Sequence, residues 1–190
     1  MNITKKDIEA ALGDNAFTLH YQPKVNFLTG KISGAEGLIR WNSAKNGVVP
    51  PDHFIPLAEE TGLISEITAQ LIPISINAIE DLKTAGFDGS IAVNTSPMDF
   101  NTDHVVTLIQ QALDSGKITP DDLQIELTET AVLQSHDELI TRLHDLTSTG
   151  VKLVMDDFGT GYSSIDLLSQ LPFSALKVDQ GVIGLSLIHI

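Results

Sequence analysis

The sequence has no cysteine, little aromatic content and few basic residues. Without cysteine the chain cannot form disulfides, thiolate metal sites or cysteine nucleophiles, and such a composition is typical of a reducing compartment, so we expect a cytoplasmic location. Only 11 Lys and Arg residues stand against 25 Asp and Glu residues, which gives a net charge of −14. Because contacts to a phosphate backbone need basic side chains, this balance argues against a nucleic-acid polymer as a partner.

Long apolar runs are also missing. No stretch approaches the ~20 residues that span a bilayer, and the opening MNITKKDIEAALGDN lacks the apolar core of a signal peptide. We therefore expect no attachment to a membrane by this chain itself. Its 190 residues, 42% of them hydrophobic, are enough to bury one core, and we assign a single domain to residues 1–190.

The apolar periodicity predicts an alternation of strands and helices. The predicted strands are at 17–26, 31–41, 90–94, 123–127, 151–157 and 174–179. The predicted helices are at 4–12, 52–60, 65–85, 103–115, 136–149 and 163–170. The first two strands flank a Thr29-Gly30 turn and are close enough in sequence to pair as an antiparallel hairpin. The later elements predict parallel βαβ units, in either a barrel or a doubly wound sheet.

Polar residues lie within or at the end of each apolar strand from the second to the sixth. In chain order they are Glu36, Asn94, Glu126, Asp156, Asp157 and Lys177. Because the C-terminal ends of parallel strands open onto one face, we expect these side chains to converge. Carboxylate and amide oxygens suit Mg²⁺ or Mn²⁺, and the Asp156-Asp157 pair is suited to holding two ions. Two ions could clamp a phosphodiester and activate water, so an acidic protein could handle an anionic substrate.

Each of these residues taken alone has a simpler explanation. Glu36 could be a solvated loop residue, Asn94 could begin a turn, and Lys177 could be a surface charge. The Asp156-Asp157 pair could cap the segment that follows it. Together these explanations require the same coincidence at five successive predicted strands, so we favour a shared metal site.

Other catalytic motifs are incomplete. The two glycines in residues 159–161 lack the third glycine of a dinucleotide-binding loop, since Ser164 stands at that position. Residues 157–159 match the kinase DFG triplet, but no glycine-rich loop or HRD-type loop accompanies them. The six histidines are scattered, and no G-x-S-x-G elbow supports a nucleophilic triad.

Seven segments together resemble the EAL domain family of cyclic di-GMP phosphodiesterases. In the family's order they are FTLHYQPKVN, GAEGLIRW, FIPLAEETGLI, VNTSP, IELTET, DDFGTGYSS and LKVDQGVI. The resemblance extends over about residues 9–183. It implies a TIM-like barrel with an antiparallel first strand, a homodimer, and hydrolysis of cyclic di-GMP to the linear dinucleotide pGpG.

The resemblance also implies roles for individual residues. The metal-ligand positions of the family match Glu36, Asn94, Glu126, Asp156 and Asp157. Lys177 matches a lysine beside the attacking water, and Glu129 matches a glutamate that orders the loop at 158–164. Gln22 and Arg40 resemble contacts to the nucleotide, and Arg40 is suited to a phosphate oxygen.

Two departures from the family pattern affect these expectations. The motif reads Glu-Gly-Leu at 36–38, with glycine in place of alanine, and we expect a small effect because the ligand is kept. The chain also stops after the sixth strand, so we expect an incomplete barrel without the last two strands, and residues 184–190 read as a non-native tail. Such an open sheet would expose its edges and be unstable or prone to associate.

Three functions therefore stay open at the level of sequence. The ligand set that extends through Lys177 favours a phosphodiesterase. The expected lack of two strands favours either a module that binds cyclic di-GMP without cleaving it or an inactive remnant.

Overall fold

The computed structural model describes residues 3–130, 137–159 and 171–179. The strands are β1 (Phe17–Val25), β2 (Ile32–Ser43), β3 (Gly47–Val49), β4 (Ser90–Asn94), β5 (Leu123–Thr128), β6 (Lys152–Phe158) and β7 (Phe173–Val178). The main helices are α1 (Lys5–Gly13), α2 (Ile55–Glu60), α3 (Ile64–Thr84), α4 (His104–Asp114) and α5 (Asp137–Ser148). The predicted helix at 163–170 and the tail at 184–190 lie outside the described residues. None of the described helices combines the length and the apolar character that a membrane crossing needs.

One mixed sheet contains the seven strands, in the order β1-β2-β4-β5-β6-β7, with β3 paired to β2. Both β1 and β3 run antiparallel to β2, and the neighbours from β2 to β7 are parallel. Each parallel strand is added beside its predecessor, which is the winding of a TIM-like barrel, whereas a doubly wound sheet reverses at a switch point. The α/β class and the antiparallel first strand are confirmed. Across the described ranges the sheet is open, with β1 and β7 at its edges.

The sequence pattern misses the short strand β3. Its three residues pair with the end of β2, where Val49 lies opposite Trp41. Three residues after a turn carry too little alternation to be recognised as a strand.

Two groups of buried apolar side chains hold the helices against one face of the sheet. The first joins α3, α4 and α5 to the parallel strands and includes Ile79 and Ile109, each exposed by 1% or less. The second lies beside α1 and α2, where the rings of Phe17, Trp41 and Phe54 have centroids 5.5–5.8 Å apart. Each fully buried side chain of this size contributes roughly 1.5–3 kcal/mol. These contacts fix the strands that carry the polar residues.

The opposite face, here called the polar face, carries five of the residues selected from the sequence, namely Gln22, Glu36, Asn94, Glu126 and Asp156. Strand side chains alternate between faces, so cross-strand neighbours point to the same side. Gln22 on β1 lies opposite Glu36 on β2, and Asn94 on β4 lies beside Glu126 on β5. Asp156 on β6 lies beside Thr128 on β5, two positions after Glu126 and on the same face. The sheet register therefore gathers residues that are distant in sequence.

Candidate metal centre and active site

Three carboxylates meet on the polar face. Glu36 on β2, Glu126 on β5 and Asp156 on β6 each offer one oxygen, and these oxygens lie within 4.8 Å of one another. The Glu126 side chain is fully buried, whereas those of Glu36 and Asp156 are each 18% exposed. Like charges held this close in a partly buried site repel each other unless cations lie among them. The arrangement therefore calls for positive partners.

Lys177 on β7 is the first of these partners and contacts all three carboxylates. Its Nζ donates to Glu36 Oε2 at 2.9 Å, to Glu126 Oε2 at 2.8 Å and to Asp156 Oδ2 at 2.8 Å. Three acceptors match the three donors of an ammonium group. Burial alone would lower the pKa of Lys177, but the hydrogen bonds to the three carboxylates outweigh it and raise the pKa above its ordinary 10.5. Lys177 is therefore a cation at neutral pH.

Lys24 on β1 is the second positive partner, and the sequence patterns did not point to it. Its Nζ donates to Glu126 Oε1 at 2.6 Å, so each oxygen of Glu126 accepts from a different lysine. A signal was present, because Lys24 follows Gln22 by two positions and shares its face of β1. Since Gln22 lies opposite Glu36, the same face leads to the carboxylates.

Asn94 lies at the end of β4 and contacts the same group. Its Nδ2 donates to Glu36 Oε1 at 2.8 Å, which places the amide beside the carboxylates. The amide oxygen of this side chain is the atom suited to a hard cation. The turn that follows is fixed by a capping box, in which the Ser96 N–H donates to Asp99 Oδ2 at 2.8 Å. The Ser-x-x-Asp spacing of this box is visible in the sequence and could have predicted the turn.

Asp157 follows Asp156 with an uncommon backbone conformation. Its φ is +55°, in the left-handed region, and its N–H donates to Asp156 Oδ1 at 2.9 Å. The backbone of Asp157 therefore orients the carboxylate of Asp156. Burial, followed by the charge of Asp156, raises the pKa of Asp157, and Lys177 opposes the shift. In the described ranges the group of mutually close carboxylates includes Asp156 and does not include Asp157.

Glu129 connects the end of β5 to the turn after β6. The residue is 1% exposed, and its Oε2 accepts the N–H of Gly159 at 2.7 Å. Gly159 has a φ of +100° and comes directly after β6, the strand that carries Asp156 and Asp157. Residues 160–164 of the loop that the family resemblance links to Glu129 lie outside the described residues.

The two residues that resemble nucleotide contacts occupy different parts of the site. Gln22 is exposed on β1, opposite Glu36. Arg40 on β2 lines a cavity of about 480 Å³ that also reaches Asn94, and its Nη1 donates to the carbonyl of Ile39 at 2.7 Å. A ligand in this cavity would therefore lie between a guanidinium group and the edge of the carboxylate group.

The donor atoms of the site fit a hard divalent cation. Glu36, Glu126 and Asp156 offer oxygens only, and Asn94 adds an amide oxygen next to them. Mg²⁺ and Mn²⁺ prefer such ligands, whereas zinc sites favour cysteine and histidine. The three carboxylates could thus hold a metal ion.

Comparison with known proteins places this geometry in a family. The sequence model of the EAL domain family matches residues 5–188 of this chain. The bifunctional diguanylate cyclase/cyclic di-GMP phosphodiesterase MucR of Pseudomonas aeruginosa is 38% identical over 179 residues, which cover 94% of this chain and 26% of MucR. The cyclic di-GMP phosphodiesterase NbdA of the same species is 34% identical over 180 residues, with 94% and 23% covered. The chain thus spans about a quarter of the length of these relatives.

Solved structures show the same fold. The PaMucR phosphodiesterase in its c-di-GMP complex gives a TM-score of 0.85 at 37% identity, covering 97% of this chain and 75% of that one. An EAL domain protein of Listeria monocytogenes gives a TM-score of 0.77 at 29% identity, covering 98% and 72%.

Proposed function

The chain belongs to the EAL domain family, and from this premise we propose that it is a phosphodiesterase that hydrolyses cyclic di-GMP to linear pGpG. The reaction adds one water molecule and breaks one of the two phosphodiester bonds of the ring. Relatives named as cyclic di-GMP phosphodiesterases and the PaMucR complex support this choice of substrate.

The observation that carries the proposal is the meeting of Glu36, Glu126 and Asp156 around Lys177. Three strands contribute one carboxylate each, and the oxygens are close enough to share a cation. A surface charge cluster without function would not need Glu126 to be fully buried.

We propose Mg²⁺ or Mn²⁺ as the cofactor, held in a two-ion site by the carboxylates together with Asn94 and Asp157. Such ions, when bound, supply positive charge to the phosphodiester and lower the pKa of a water molecule. The ligands themselves are positioned by the chain, because Asn94 orients Glu36 and the Asp157 amide orients Asp156.

Two basic residues would act on the substrate side of this site. Lys177 remains protonated and holds the three carboxylates, so it is placed to stabilise negative charge that develops on phosphate oxygens. Arg40 lines the adjoining cavity and would bind a phosphate oxygen with its guanidinium group. Gln22, opposite Glu36, would contact the nucleotide from the edge strand.

Hydrolysis of cyclic di-GMP by the purified chain tests the proposal. We expect pGpG in the presence of Mg²⁺ or Mn²⁺, none with a chelator, and none for Glu36→Gln, which loses a charged ligand. Glu60→Gln, which changes an exposed carboxylate on α2, is the matched control and should leave turnover unchanged. Binding of cyclic di-GMP without product would favour the non-catalytic module instead. If the chain neither binds nor hydrolyses cyclic di-GMP, both of these functions are rejected.

A homodimer and a cytoplasmic location stay predictions. The first rests on the family resemblance and the second on the composition, which has no cysteine. Analytical ultracentrifugation and cell fractionation test them.

A further inference from the structure

Glu126 is a fully buried carboxylate with both of its oxygens held by lysines. Oε2 accepts from Lys177 at 2.8 Å, and Oε1 accepts from Lys24 at 2.6 Å. Any divalent cation that takes Glu126 as a ligand must therefore share an oxygen with an ammonium group or displace it. Close approach of two positive charges in a partly buried site is unfavourable.

The two lysines differ in how firmly they are held. Lys177 is held by three carboxylates, whereas Glu126 is the one carboxylate that Lys24 contacts in the described part of the chain. Lys24 also sits on the edge strand β1, at a register shift between Lys24 and Val25, and its side chain is 29% exposed. A flexible side chain at such an edge can turn its ammonium group into water. Of the two lysines, Lys24 is therefore the one that leaves Glu126 more easily.

We propose that Lys24 is a positioning residue that competes with the metal for Glu126 Oε1 and so sets the metal affinity of the site, an inference that rests on the proposed metal-dependent function. With Lys24 in place, the buried carboxylate is neutralised and the polar face is stable. When a divalent cation takes Oε1, the ammonium group leaves for solvent. The same lysine thus stabilises the site and weakens its affinity for metal.

Titration of the purified chain with Mn²⁺ in a calorimeter, without cyclic di-GMP, measures this competition. Lys24→Met removes both the charge and the donor. We expect it to bind Mn²⁺ at least about tenfold more tightly, because substitutions beside a metal ligand change metal affinity by about 10–100-fold and this one removes a competing positive charge. Lys24→Arg keeps the charge and should bind as weakly as the unchanged chain. Lys152→Met is the matched control, since Lys152 pairs at 2.7 Å with the exposed Asp121 away from the carboxylates, and it should leave the affinity unchanged.

Thermal unfolding supplies a second readout. Without divalent cations, Lys24→Met should unfold at a lower temperature, because Glu126 loses a partner, and added Mn²⁺ should raise its unfolding temperature more than that of the unchanged chain. Lys24→Gln keeps a hydrogen-bond donor but removes the charge. It should also bind Mn²⁺ more tightly than the unchanged chain, and it replaces the methionine variant if that variant does not fold. Equal or weaker Mn²⁺ binding by both neutral variants would overturn the inference.

The titration also separates this inference from the proposed function. Tighter Mn²⁺ binding by Lys24→Met in a chain that does not hydrolyse cyclic di-GMP would uphold the competition and reject the activity. Unchanged Mn²⁺ binding by Glu36→Gln would reject the metal site itself, and the competition with it.

Discussion

Glu129 Oε2 accepts a hydrogen bond from the backbone N–H of Gly159 at 2.7 Å, and this contact ties β5 to the turn that follows Asp156 and Asp157. Glu129→Ala would leave a partly buried N–H without its acceptor, which costs about 1–3 kcal/mol. We expect faster hydrogen exchange at Gly159 and a fall in kcat that exceeds any change in KM, because the turn follows directly on Asp156 and Asp157, the proposed metal ligands. Amide exchange measured by NMR together with steady-state kinetics checks both.

Glu129→Gln is the informative companion to this variant. It keeps an oxygen acceptor of the same reach, so exchange at Gly159 and kcat should return most of the way to normal. Equal exchange rates at Gly159 in Glu129→Ala and the unchanged chain would show that the contact does not hold the turn.

Two glycines of β2 differ in the space available for a methyl group. A Cβ at Gly34 would lie 2.5 Å from the backbone oxygen of Ser90, whereas a Cβ at Gly37 would lie 3.3 Å from the Ala92 oxygen and 3.3 Å from Leu19 Cδ1. Gly34→Ala should therefore push β2 away from β4 and destabilise the fold by roughly 2 kcal/mol or more. Gly37→Ala, which restores Glu-Ala-Leu, should change stability by less than about 1 kcal/mol, because the Leu19 side chain can move slightly and alanine is less costly than glycine in a strand.

Urea unfolding of the two variants measures the difference. Both substitutions add one methyl group to the same strand, so each serves as the control for the other. A loss for Gly37→Ala as large as that for Gly34→Ala would contradict the small effect expected for the motif change.

The sequence predicted six of the seven described strands and the convergence of three carboxylates, for a physical reason. Glu36, Glu126 and Asp156 interrupt strongly apolar strands, and the winding of parallel strands brings such positions to one face. Lys24 was not predicted as a site residue because β1 is an exposed edge strand. A lysine is common on such a strand, and its position becomes informative only when the face it lies on is known. The left-handed backbone at Asp157 falls at a register shift of β6 between Met155 and Phe158. Aspartate tolerates this conformation, but the residue type alone does not say at which aspartate it occurs.

The three contacts of Lys177 predict a stability defect when its charge is removed. Lys177→Met would leave three carboxylates facing each other, and since the lysine is 31% exposed we expect a loss of about 1–3 kcal/mol, less than for a fully buried ion pair. Lys83→Met is the control, because Lys83 bonds a single carboxylate, Asp122, at 2.6 Å, and it should cost less. Urea unfolding with and without Mn²⁺ checks this. The cation should restore part of the loss for Lys177→Met and none for Lys83→Met.

Asp99 predicts a pH dependence of stability. The residue has no solvent exposure, and its Oδ1 has no hydrogen-bond partner in the described part of the chain. Burial raises the pKa of Asp99 from its ordinary 3.8 to about 6, against the lowering effect of hydrogen bonds from Ser96 and Thr68. Between these two values the folded chain binds a proton that the unfolded chain does not bind. The free energy of unfolding should therefore fall as pH rises from about 4 to about 6 and then level off.

Asp99→Asn removes this titration and should flatten the pH profile over the same interval. A shift of about two pKa units corresponds to roughly 3 kcal/mol, which is the expected difference between the two chains in the total change of unfolding free energy across the interval. Asp88→Asn, at an exposed carboxyl, is the control and should run parallel to the unchanged chain. The measurement is urea unfolding at intervals from pH 4 to pH 7. Parallel profiles for Asp99→Asn and the unchanged chain would show that Asp99 is ionised in the folded protein throughout, and the buried carboxyl would then need a positive partner or an ordered water molecule to account for it.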